Sequence, residues 1–254
     1  MEDPESEETI NWVNAQNKIT ADFVDTPIRE KIKDRYTKLY NYPKFSLPHK
    51  EGDFYVYKKN DGLQAQYVMY RQDKLGGESK VILDPNKLSD DGTISLNYYS
   101  FTKDGSLMGY GLSEKGSDWQ TIHFLNIETG EKLDDVIHFT RFVTPAWKQN
   151  NSGFYYDRYP DPATVPAGEE TYYNKLYWHT LGTDQSEDLL IYERPDDNRL
   201  GFGTGVTEDG KYLIIYVWRG TDRENGIYYL KIDGNNEVIR LLDDFDASYS
   251  LIDN

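Results

Sequence analysis

The sequence predicts a mainly β protein, a partial β-propeller of about four four-stranded blades preceded by an N-terminal helical segment. Three observations lead there. The spacing of apolar residues changes from a helical period of 3.6 to a strand period of 2 near Phe45. Aromatic residues are abundant, with 22 Tyr, 5 Trp and 10 Phe in 254 residues, and such side chains favour pleated, half-buried strands. A glycine followed by an aromatic-rich strand then recurs at long, similar intervals, as in a structural repeat.

Residues 1–44 read as helices. Ser6 is an N-cap ahead of the acidic first turn Glu7-Glu8, and Ile10, Trp12, Val13, Ile19 and Phe23 supply the apolar positions. Pro27 separates a second segment, in which Ile28, Ile32, Arg35, Tyr36 and Leu39 recur at helical spacing until Tyr42-Pro43 stops the pattern.

Residues 45–254 carry the repeat. Its marker glycines Gly52, Gly105, Gly153 and Gly210 lie 53, 48 and 57 residues apart and lead strands over 54–57, 107–110, 154–156 and 212–216. A second strand follows each, over 66–70, 121–125, 175–179 and 227–230, and then a short apolar stretch, over 81–83, 133–137, 189–192 and 238–242. Apolar lead-ins such as 98–101 and 142–147 bring the number to four strands per repeat. A lone four-stranded sheet must stack on neighbours to cover its faces, so this beat is the sequence form of a propeller blade. A β-sandwich would place turns every eight to twelve residues without the longer period. Residues 245–251 are a candidate start of a fifth blade. Propellers close into rings, and a pattern that stops at Asp253-Asn254 reads as part of something longer.

Composition excludes several functions. The formal charge of −16, with Lys and Arg scattered, opposes binding to nucleic acid. With no cysteine, disulfides and thiolate chemistry are excluded, which fits a cytoplasmic location. No apolar run approaches the roughly 18 residues that cross a bilayer, and the acidic start is unlike a signal peptide, so no membrane partner is expected. Asn150-Asn151-Ser152 fits a glycosylation pattern and reads here as a polar turn.

Several runs resemble the prolyl oligopeptidase family, serine peptidases that cut short peptides after proline. Glu2 to Thr9 with Ala15 to Thr20 is similar to the family's opening helix, with Met1 where that pattern has Leu, and Leu39 to Lys44 to the junction that follows. Leu83 to Asn86 with Leu88 to Thr93, Tyr110 to Ser113 with Gly116 to Trp119, and Leu181 to Asp188 resemble its blade motifs. The likeness is collinear over essentially the whole chain. It implies an α/β-hydrolase domain assembled from both chain ends and capped by a seven-bladed propeller that restricts access to short peptides. Residues 1–44 would then belong to the hydrolase domain and residues 45–254 to an incomplete propeller, in a monomeric parent whose partners are short proline-containing peptides. The resemblance also implies that Phe142, before Ala146-Trp147, helps line the outer peptide pocket. The family's neighbouring Met falls on Gly201 and its Cys on Thr221, so Thr221 is a second lining position in a pocket of altered shape.

No catalytic residue is expected. There is no G-x-S-x-G nucleophile elbow, and Gly111 to Gly116 has the wrong spacing and lies between strands. The triad's Asp and His follow the Ser in hydrolase order, which puts all three beyond residue 254. His49, His123, His138 and His179 lack metal-ligand spacing and read as isolated structural histidines. The pairs Asp90-Asp91, Asp134-Asp135, Asp196-Asp197 and Asp243-Asp244 read as turn caps, because adjacent strand residues point opposite ways and Asp caps turns. Gly201 to Gly205 lacks the order of a nucleotide loop and reads as a flexible lead-in strand near the axis, so no cofactor or metal is implied. The alternative is a non-enzymatic short propeller-like interaction module, against which stand the edges an open array exposes.

Overall fold

A computed structural model describes Asp3 and residues 6–252. Most of the run Met1 to Glu5 and the ending Asp253-Asn254 therefore lie outside the described residues. The chain divides into two compact units, one of residues up to Phe45 with Lys59–Gln64, the other of Ser46–Lys58 with residues from Ala65 onward.

In the first unit, helix α1 (Glu7–Val24) starts at Ser6, whose hydroxyl accepts the Thr9 N–H at 3.3 Å. Helix α2 (Pro27–Tyr40) starts at Thr26, capping the Arg29 N–H at 3.4 Å, with Pro27 where a missing N–H costs nothing. Neither helix buries a residue, and Trp12, Ile19, Phe23, Ile28, Ile32 and Leu39 are all exposed. Strand β1 (Lys44–Phe45) follows and pairs with residues 59 and 60, while the Lys44 ammonium donates to the Gly62 carbonyl at 2.7 Å and lies 3.7 Å from the Tyr40 ring centre.

The second unit is four antiparallel sheets, each a simple meander. The first holds β2 (His49–Glu51), β3 (Phe54–Asn60), β4 (Val68–Gln72) and β5 (Ser79–Leu83). The second holds β6 (Ser95–Phe101), β7 (Leu107–Ser113), β8 (Trp119–Asn126) and β9 (Lys132–Arg141). The third holds β10 (Ala146–Trp147), β11 (Gly153–Arg158), β12 (Lys175–Thr180) and β13 (Leu189–Tyr192), and the fourth β14 (Leu200–Val206), β15 (Tyr212–Arg219), β16 (Asn225–Lys231) and β17 (Val238–Leu242). β1 and β2 pair with the same edge of β3, so the first sheet's leading strand is one strand interrupted around Pro48, whose ring provides no N–H for a ladder. Four blades are thus present, as the repeat predicts.

The first hairpin of each blade shows why the repeat carries its glycine. In the second blade the Asp104 carboxylate accepts the Ser106 N–H at 3.0 Å and the Thr102 hydroxyl at 2.7 Å, while Gly105 turns at φ +74°. The fourth blade repeats this with Asp209, the Lys211 N–H at 3.0 Å, the Thr207 hydroxyl at 2.8 Å and Gly210 at φ +72°. In the third, Asn150 takes the Asp role and Asn151, at φ +57°, the left-handed position. The true counterpart of Gly105 is therefore Asn151, two residues before the marker read from the sequence. Gly153 is required for another reason, since a Cβ there would sit 2.1 Å from the His179 carbonyl oxygen.

Three apolar cores join the four blades. Phe54, Val56 and Met69 of the first pack against Phe101, Met108 and Tyr110 of the second. Ile122, Phe124 and Ile137 of the second meet Trp147, Phe154 and Tyr156 of the third. Tyr155 and Leu176 of the third meet Phe202, Leu213, Ile215 and Tyr228 of the fourth. The period of 2 is what serves two interfaces at once: Phe154 and Tyr156 face one neighbour and Tyr155 the other. Gly201 to Gly205 lies within β14, where Gly201 and Gly203 lie flat on the Trp218 indole, which a Cβ would approach to 2.4 and 2.7 Å. Residues 245–251 form no strand; Ala247 and Tyr249 bond instead to the main chain and side chain of Asn225.

Candidate functional site

In each meander the turn after the second strand and the crossover to the next blade lie at one end, and the two hairpin turns at the other. Phe142 lies on the crossover after β9, and Thr221 in the β15–β16 turn. Both therefore occupy the crossover end of the arc, on separate loops. Phe142 has left-handed backbone, φ +59°, and its ring is 55% exposed, held edge-on by Tyr98 at 6.3 Å. The Arg141 guanidinium lies between the Trp119 and Phe142 rings, 5.5 and 5.4 Å from their centres, and is anchored to Asp118 at 2.7 Å. By contrast Ala146 and Trp147 are buried, and the Trp147 indole N–H donates to the Ser100 hydroxyl at 3.0 Å. Thr221 is exposed beside Gly220, and Arg219 ties this turn to Asp197 at 2.9 Å.

Asp197 also lines a cavity of about 510 Å³ at the same end, walled by Pro160, Val165, Pro166, Tyr173 and Leu200. Its floor is Asn174, nearly buried, whose amide donates to Asp157 at 2.9 Å and accepts the Phe202 N–H at 3.1 Å. Burial pushes the Asp157 carboxyl up to about 7, with the Asn174 bond pulling the other way. The residues picked from the sequence do not include this notch, although Pro160, Pro162 and Pro166 mark its loop.

The histidines and paired acids are placed differently from one another. His49, His123 and His138 are partly or fully exposed. His179 is fully buried, with Nδ1 2.6 Å from Asp188 and Nε2 3.0 Å from Asp135. With a carboxylate at each nitrogen it has no free lone pair for a metal. Among the described residues no cluster of His, Asp or Glu could hold a metal ion. Asp91 and Asp197 cap turns as expected, through the Thr93 and Arg199 N–H groups. Asp135 does not: it is buried in β9 and bonds across to the third blade. Asp243 joins the Arg194 guanidinium at 3.0 Å and the Tyr228 hydroxyl.

Residues 1–254 match the family described as prolyl oligopeptidase, N-terminal beta-propeller domain. A prolyl endopeptidase of Elizabethkingia meningoseptica is 38% identical over 100% of this chain and 36% of its own length, and a prolyl oligopeptidase A of Amanita bisporigera is 34% identical over 98% and 37%. Among solved structures, prolyl oligopeptidase B from Galerina marginata bound to a 25mer macrocyclization substrate superposes with TM-score 0.88 at 26% identity, over 98% of this chain and 38% of that one. The chain thus spans little more than a third of the relatives it matches. Four stacked meanders, the collinear motifs and these matches together establish that the chain belongs to the prolyl oligopeptidase family, as its N-terminal β-propeller portion.

Proposed function

We propose that this chain supplies part of the substrate-gating propeller of a cytoplasmic, monomeric serine endopeptidase that cleaves short peptides after proline, and that it is catalytically silent alone. The observation that carries this reading is the end-to-end match to the propeller portion in a chain spanning 36% of a prolyl endopeptidase, together with the lack of a nucleophile elbow. In the complete enzyme a Ser attacks the carbonyl after proline, a His moves the proton and an Asp orients the His. Residues 1–44 belong with the hydrolase domain, which supplies a cover for the exposed apolar residues of α1 and α2. Residues 45–254 form the filter. Phe142 and Thr221 line the outer peptide pocket, a role supported by their exposure at one end of the arc.

The test is direct. The purified chain should neither hydrolyse a proline-containing reporter peptide nor react with an active-site serine probe, whereas the chain joined to a family hydrolase domain should do both. Labelling of the chain alone at a serine would overturn the proposal.

A further inference from the structure

His179 of β12 and Asp188, just before β13, belong to the third blade, whereas Asp135 belongs to β9 of the second. All three side chains are essentially out of solvent, at 0%, 0% and 4% exposure. Asp188 also accepts the Tyr156 hydroxyl at 2.5 Å, and Asp135 the Gly182 N–H at 2.5 Å. Beside them Gln185 spans the same interface, accepting the His138 N–H at 3.0 Å and donating to the His138 carbonyl at 3.2 Å. The blade motif Leu181 to Asp188, with His179 before it, thus fastens the third blade to the second.

A neutral imidazole has one N–H and one lone pair, and the lone pair here would point at a carboxylate. Only the imidazolium donates to both acids. Among the described residues no Lys or Arg pairs with Asp135 or Asp188, so the histidine is their one counter-charge, and buried charges persist only when paired. We propose that His179 is a buried imidazolium that clasps the second blade to the third, and that losing its proton loosens this interface.

The groups facing His179 fit this. Asp135 comes from β9, Asp188 and the more distant Asp184 from the segment before β13, the Tyr156 hydroxyl and Phe154 ring from β11, and the Phe124 ring from β8. Burial alone would lower the His179 pKa; the bonds and charges of Asp188 and Asp135 outweigh it and raise it. Burial and Asp188 push the Tyr156 hydroxyl far up, so it keeps its proton in the same range. A raised folded pKa gives stabilisation that is fully present below the unfolded value of about 6.5 and lost as pH rises above it through the folded one.

The experiment is a titration of the full chain carrying ¹⁵N-labelled histidine rings, from about pH 5.5 to 9.5 around the free imidazole value. His49→Gln, His123→Gln and His138→Gln each remove one signal and identify the fourth by elimination without touching the clasp side chains. The expected result is that the His179 ring keeps both protons at pH 7.5, where burial has left His49 and His123 neutral, and that the urea midpoint falls as it deprotonates. A single neutral tautomer at pH 7.5 would overturn the proposal, since the ring would then not be the counter-charge of the two carboxylates. So would an imidazolium whose loss leaves the midpoint unchanged.

Discussion

Replacing Phe154 with alanine should be among the most damaging changes to this chain. The side chain is fully buried on β11, stacked on Phe124 at 4.8 Å and edge-on to Trp147 at 5.2 Å, in the core between the second and third blades. Phe→Ala in a packed core costs about 3–5 kcal/mol, and aromatic pairs add about 0.5–1.5 kcal/mol beyond area burial, so a loss of about 4 kcal/mol is expected. For a chain of this size each kcal/mol lowers Tm by about 2–4 °C, so a fall of about 8–16 °C follows. Tryptophan emission during thermal unfolding reads this out, because Trp147 lies in the same cluster. Phe142→Ala is the control: its ring is 55% exposed, and its removal should cost under about 0.5 kcal/mol. A fall under about 2 °C for Phe154→Ala, or equal falls for the two variants, would show that this core does not hold the blades together.

Three further outcomes follow from the same geometry. Gly153→Ala brings a Cβ within 2.1 Å of the His179 carbonyl oxygen and should cost about 3 kcal/mol, whereas Gly205→Ala, with nothing within 4 Å, should be near neutral in the same denaturation assay. At Asp104 burial raises the pKa, but bonds from the Ser106 N–H and hydroxyl, Thr102 and Asn151 outweigh it and hold it at about 2. Its stabilisation is therefore present above the ordinary value of 3.8 and lost as pH falls through about 2, so the stabilities of wild type and Asp104→Asn should converge in acid. A gap that stays constant to pH 2 would refute that assignment. On the proposed functional reading, Phe142→Ala in the complete enzyme should raise KM for longer peptides more than for a two-residue reporter, with kcat little changed; equal effects on both would remove Phe142 from the pocket.

The local architecture was legible because it is written in short-range patterns. Ser6 and Pro27 announce the two helices, and the change of period near Phe45 announces strands. The third blade shows the limit of such reading. The glycine marker led to Gly153, yet the left-handed residue is Asn151, because Asn and Gly both tolerate that backbone and only the turn's hydrogen bonds tell them apart. Residues 245–251 look like a strand by composition but have no ladder partner, Ala247 and Tyr249 bonding instead to Asn225 and the Leu251 N–H to the Tyr216 hydroxyl. The conformation of a strand depends on its neighbour as much as on its own residues.

From the sequence alone came the class of fold, the fourfold beat, the family and the absence of a nucleophile elbow, all properties of residues close together in the chain. Tertiary structure alone decided which side chains meet: His179 with Asp135, 44 positions away, and the Phe142 ring with that of Tyr98, 44 positions before it. An aspartate beside another aspartate looks like a turn cap whatever it does. What makes Asp135 one half of a buried charge pair is the loss of water when two blades close over it, and no local pattern encodes that.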